Sequence, residues 1–224
     1  MTSRRSDYGS VQFATFLGLE VWQFSPARQA GLIPCPDRPC DRWSAQAAGA
    51  ALARAGEIRQ AAGSVPDVGA VRAAEVLSVR LGAVVTGDGV AELARHGRIP
   101  VTGHFKGWPL YDGRALEAFT DLAAAVEATW AGHLRTAAQS AAYLRIRRCD
   151  LDHLTRAGLL TPTGWGHGPF DRRGRFSVPL YRTGDLDHLA ARAGIDWQAV
   201  RATPLGRRSP LAALPSAPPQ GAAS

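Results

Sequence analysis

The strongest constraint on this chain is a pattern that occurs three times. An Ala-rich helical stretch ends in Leu, a second helical stretch follows, and a Gly-x-(Ile/Leu) signal then leads into Pro. The first copy runs from Phe16-Leu17 to Ala30-Gly31-Leu32-Ile33-Pro34. The second runs from Ala73-Ala74-Glu75-Val76-Leu77 to Arg95-His96-Gly97-Arg98-Ile99-Pro100. The third runs from Ala141-Ala142-Tyr143-Leu144 to Ala157-Gly158-Leu159-Leu160-Thr161-Pro162. The anchoring glycines Gly31, Gly97 and Gly158 lie 66 and 61 residues apart. Copies one and three align without a gap over the 15 residues from Phe16 or Tyr143 to the glycine, and copy two carries about six extra residues around Val79–Thr86. A lag of that size exceeds the roughly 20–50 residues of common solenoid repeats, so tandem small domains are expected.

Each copy has the same physical logic. The glycine ends the second helix in a left-handed cap, the apolar pair starts a strand, and Pro blocks helix continuation and suits an edge strand. Copies two and three continue into Gly-rich hairpins, 102–111 and 164–176, and both reach Pro-Leu-Tyr (109–111 and 179–181) before a further helix at Ala115–Phe119 or Asp185–Leu189. The order is helix, turn, helix, two-stranded wing, helix. The expected fold class is mainly α with small β-hairpins (wings), in tandem winged helix-turn-helix units.

The second and third copies resemble the compact winged helix-turn-helix domains of the MerR and phage-excisionase superfamily. Arg95-His96-Gly97-Arg98-Ile99-Pro100 is similar to the excisionase end of the recognition helix. Ala157-Gly158-Leu159-Leu160 with Leu180-Tyr181-Arg182-Thr183-Gly184-Asp185-Leu186 is similar to the MerR helix end, wing and acidic-capped helix. The resemblance covers 70–120 and 136–193, with a degraded copy at 12–55. It departs from MerR proteins in lacking a long dimerisation helix and an effector or metal-cysteine domain, so sensing of drugs or metals is not implied.

Charge supports a polyanionic partner. The formal net charge is +7, from 26 basic and 19 acidic residues. Residues 1–55 are net +2, residues 56–130 net −2, and residues 131–224 hold 13 arginines against 6 carboxylates. A binding face concentrates charge in this way. Only Lys106 is a lysine; codon usage explains the preference for Arg but not its location. In this fold the second helix enters the major groove and the wing reaches the backbone or minor groove. For the third unit the expected DNA contacts are Arg145 in the turn, Arg147, Arg148, His153 and Arg156 on the helix at 147–157, and Arg172, Arg173 and Arg175 at the wing tip. Asp150 and Asp152 on the same helix oppose the assignment unless they point away or accept from a cytosine amino group. The less basic second unit offers Arg95, His96, Arg98 and, with His104 in its wing, Lys106. In the first unit Ser25-Pro26 is expected to interrupt the helix, and the unit is expected to pack against a neighbour or to bind a protein partner.

Other signals are weaker. Cys35 and Cys40 have no second cysteine pair to complete a structural zinc site, so no metal is expected. Val84-Val85-Thr86-Gly87-Asp88-Gly89 resembles a dinucleotide turn, but Glu92 occupies the third glycine position and would repel pyrophosphate. The six histidines show no ligand spacing, and the carboxylate pairs 150/152 and 185/187 do not share a helix face. No catalytic constellation and no cofactor are expected. Trp108, Trp130, Trp165 and Trp197 sit beside apolar neighbours and are expected to pack.

The expected organisation is a degenerate unit at 12–55, a linker at 56–70, a second unit at 70–130, a basic third unit at 135–200 and a disordered tail at 203–224. A long helical region at 112–144 is expected to join the second and third units. No apolar run approaches the roughly 20 residues of a membrane span, and MTSRRSDYGS has no apolar signal region. Three cysteines fit a reducing compartment. The expected protein is cytoplasmic and nucleoid-associated, binds double-stranded DNA and regulates transcription, with its oligomeric state open. Two alternatives remain at this point: an excisionase-like factor that bends DNA, and a protein-interaction scaffold.

Overall fold

A computed structural model describes residues 7–167 and 177–217. The described residues are mainly helical, with 12 α-helices and small antiparallel sheets. None of these helices is long and apolar enough to cross a membrane. The chain forms two compact units, residues 1–87 with 94–122, and residues 88–93 with 123–224. The boundary expected between the first two repeat copies falls inside the first unit.

The first unit begins with β1 (Asp7–Tyr8), α1 (Ser10–Phe16), α2 (Val21–Gln29), β2 (Trp43–Ser44), α3 (Ala45–Leu52) and α4 (Ala55–Ala62). Ser44 starts α3 by accepting from the Ala47 amide, the usual Ser N-cap. The core gathers Phe13, Phe24 and Trp43, whose ring centroids lie 5.2–5.6 Å apart, and the Trp43 indole donates to the Pro34 carbonyl at 2.7 Å. Contrary to the sequence expectation, α2 runs through Pro26. Proline removes one backbone donor, while Phe24 and Ala27 stay buried on either side and offset that loss. The expected linker is also structured at its start, because α4 buries Ile58 completely.

The same unit continues with α5 (Ala70–Leu81), α6 (Gly87–Arg95), whose middle belongs to the other unit, a hairpin of β3 (Val101–Phe105) and β4 (Trp108–Tyr111), and α7 (Gly113–Ala118). Lys106 and Gly107 form the two-residue turn with φ of 50° and 82°, as the tight primed hairpin turns require. Asp112 caps α7 through the Arg114 and Ala115 amides.

The second unit holds α8 (Leu122–Gly132), β5 (Leu134–Thr136), α9 (Ala137–Leu144), α10 (Arg148–Arg156), β6 (Gly164–His167), β7 (Ser177–Arg182), α11 (Thr183–Ala190) and α12 (Trp197–Ala202). The long helical region expected at 112–144 is instead α7, α8 and α9, interrupted at 119–121 and by β5, which pairs with β7 and makes a three-stranded sheet in the order β5-β7-β6. Thr136 and Gln139 form a reciprocal capping box on α9. The core joins Leu144, Leu151, Leu154, Leu160, Tyr181, Leu186 and Val200.

The repeat is visible in the backbone. Gly31, Gly97 and Gly158 all sit at φ of 67–70°, and Ile33, Ile99 and Leu160 just after them are all buried. Tyr111 and Tyr181 end their hairpins buried, and Leu116 and Leu186 are fully buried in the helices that follow.

The C-terminal segment departs from expectation. Residues 203–217 are not a loose tail: a 3-10 helix at Pro210–Ala213 places Leu211 in the core, and the Ala217 amide donates to the Arg156 carbonyl at 2.9 Å. The Pro/Ala/Ser-rich composition hides an apolar pair, Leu211 and Leu214, that packs on the second unit's core.

Candidate nucleic-acid interface

The outer face of α10 is set by which of its side chains the core takes. Leu151 and Leu154 are buried at i, i+3 spacing. Asp150 is also fully buried, and Arg147 turns inward to meet it. Arg147 Nε and Nη2 donate to the two Asp150 carboxylate oxygens at 3.0 Å each, and its Nη1 donates to the carbonyls of Pro204 and Arg207 at 3.1 and 2.9 Å. Its backbone amide closes the helix start on the same carboxylate. Burial pushes the Asp150 carboxyl up, but hydrogen bonds from the Arg147 side chain, Ser209 and the Arg147 amide outweigh it and hold the group below its ordinary value.

This corrects one expected contact. Arg147 is not a base reader, because its donors are already spent on a buried carboxylate and two carbonyls. The concern raised by Asp150 disappears for the same reason, since that carboxylate faces inward. In solvent stand Arg148, Asp152 and Arg156 at i, i+4 spacing, with Cys149 exposed beside them. Arg148 Nη2 contacts Asp152 at 3.0 Å, and both side chains are more than half exposed; such pairs are worth at most about 1 kcal/mol and exchange easily for a phosphate. Arg156 Nη2 lies 2.6 Å from His153 Nδ1. Arg145 caps α9 in the left-handed region at φ 57° and is exposed. Arg172, Arg173 and Arg175 lie outside the described residues.

In the other hairpin-bearing region, Arg95 and His96 are exposed at the end of α6 and in contact with each other at 3.1 Å. Arg98 is drawn to Asp121 at 3.5 Å. Lys106 stands at the hairpin turn with Nζ 5.4 Å from the Phe105 ring centroid. Glu92, the residue that spoils the dinucleotide pattern, is buried and pairs with Arg182 at 3.4 Å. Arg182 also forks onto Asp185 at 3.0 and 3.2 Å.

The expectation that the tryptophans pack fails for three of the four, Trp130 on α8 being 54% exposed. Trp108 and Trp165 are 75% and 69% exposed, and each stands on a hairpin strand. Phe105, not singled out in the sequence, is exposed beside Trp108. Its position next to the two-residue Lys106-Gly107 turn is the signal that could have revealed it, because residues flanking such a turn form the outermost cross-strand pair. Among the described residues no group of three or more His, Cys, Asp or Glu side chains is placed to hold a metal ion. Comparison with known proteins finds no matching family, no matching curated protein and no matching solved structure.

Proposed function

We propose that this chain binds double-stranded DNA through winged helix-turn-helix units and acts as a transcriptional regulator. The observation that carries the proposal is the outer face of α10. The helix buries its leucines and Asp150, and leaves Arg148 and Arg156 in solvent with Arg145 just ahead of the helix. A second helix followed by a hairpin is the arrangement that brings a helix to the major groove and a wing to the backbone. The arginine-rich final third supplies the attraction to phosphate. In this reading Arg145 and the wing arginines position the unit on phosphates, and Arg148, His153 and Arg156 meet base edges. Arg95, His96, Arg98 and Lys106 give the other hairpin region a second contact, and tandem contacts in one chain raise affinity through effective concentration.

Selection from a random duplex pool with the purified full chain tests the proposal. Enrichment of a defined site is expected, with the preference relaxed in the Arg148→Ala/Arg156→Ala variant by about 1–3 kcal/mol per lost base contact. A pool that stays random while retention persists would remove the regulator reading and leave an architectural one.

A further inference from the structure

The β3–β4 hairpin carries side chains that the fold does not use. Phe105 and Trp108 are directly paired across the ladder, so their rings stand on the same face, and both are mostly exposed. The apolar anchor of this hairpin is Tyr111 at its other end, which is buried. Between the two rings Lys106 and Gly107 make the turn, with Lys106 at φ 50° as a primed hairpin turn requires, so a cation sits at the tip between the rings. From Leu93 to Tyr111 the sequence contains no carboxylate, while it carries Arg95, His96, Arg98, His104 and Lys106. Arg98 is drawn toward Asp121, which lies outside this stretch. The hairpin end is thus an aromatic pair flanking a lysine, on a segment that carries no carboxylate of its own.

We propose that Phe105 and Trp108 form a wedge that enters a base step of duplex DNA, partly unstacks it and bends the helix. The proposal rests on the duplex-binding reading above. Aromatic faces replace the stacking that the opened step loses, cations at the same tip meet the flanking phosphates, and apolar wedges of this kind bend duplexes. Pyrimidine–purine steps open most easily, so the wedge adds selectivity at TA and CA steps without hydrogen-bonding to a base.

The test uses the full chain and short mixed-sequence duplexes carrying 2-aminopurine beside a TA step and a dye at each end. With the wild type, 2-aminopurine fluorescence rises and energy transfer between the ends increases. The Phe105→Ala/Trp108→Ala variant loses both signals and binds roughly tenfold more weakly, while Phe105→Leu/Trp108→Leu recovers part of the bend. Both positions are exposed, and an unchanged circular dichroism spectrum and melting curve establish that the variants fold. Retention of duplex by the wild type without unstacking or bending overturns the wedge and leaves the duplex reading in place. Failure to retain any duplex overturns both. Binding of the two rings to phosphatidylserine-containing vesicles, with no 2-aminopurine signal, also overturns the wedge and assigns the tip to a lipid surface.

Discussion

Arg147 and Arg148 are neighbours with the same charge and opposite roles. Arg147 completes an ion pair with a fully buried carboxylate, so Arg147→Ala strands the Asp150 charge away from water and Asp150→Asn leaves the guanidinium without its partner. Both are expected to lower the urea midpoint well beyond a surface substitution, Arg147→Ala the more. Arg148→Ala and Arg156→Ala should stay within about 0.5 kcal/mol of the wild type while lowering retention on DNA. Equal stability losses at Arg147 and Arg148 would contradict this division. The pair also sets a pH dependence. Because the folded Asp150 carboxyl lies below its ordinary value of 3.8, its contribution is fully present above that value and is lost as pH falls through the depressed folded value. The stability gap between wild type and Asp150→Asn should therefore narrow on acidification below about pH 4, as read by urea midpoints. The sequence shows Asp150 three residues after Arg147, but not that the pair points inward. That depends on the carbonyls of Pro204 and Arg207, 57 and 60 residues away from Arg147.

At the scale of elements, local chemistry was the legible part. Capping side chains, the positive-φ glycines and the Pro-Leu-Tyr hairpin ends all have short-range causes, and the expected helices at 88–96 and 147–157 correspond to α6 and α10 within two residues at each end. What the sequence hid was long-range. β5 exists because β7 pairs with it, and the final segment is ordered because the core accepts Leu211. Leu211→Ala should cost about 2–5 kcal/mol, and deletion of residues 204–224 should cost at least as much, since it also removes Ser209 from Asp150. A truncation that leaves the melting curve unchanged would contradict the packed position of this segment. Gly113→Ala is expected to damage the first unit, because a Cβ there would lie 1.9 Å from the Val65 carbonyl oxygen. Limited proteolysis should detect it as new cleavage within residues 56–122.

At the scale of the whole molecule, the sequence locates the charge in the final third but says nothing of which cations the fold consumes. Arg147 and Arg182 are engaged by buried or half-buried carboxylates, whereas Arg145, Arg148 and Arg156 at α10 stay exposed. Trp108 on β4 is expected to pack because its apolar neighbours in sequence suggest a core, whereas the turn places its ring at an exposed hairpin end. Binding of duplex DNA is read by retention of a mixed-sequence duplex on the full chain across a salt series. Tight retention at low salt is expected, with log affinity falling linearly as log salt rises, and a slope shallower by about one unit for each of Arg148 and Arg156 that contacts a phosphate when replaced by Ala. No retention at the lowest salt, or retention indifferent to salt, would contradict duplex binding.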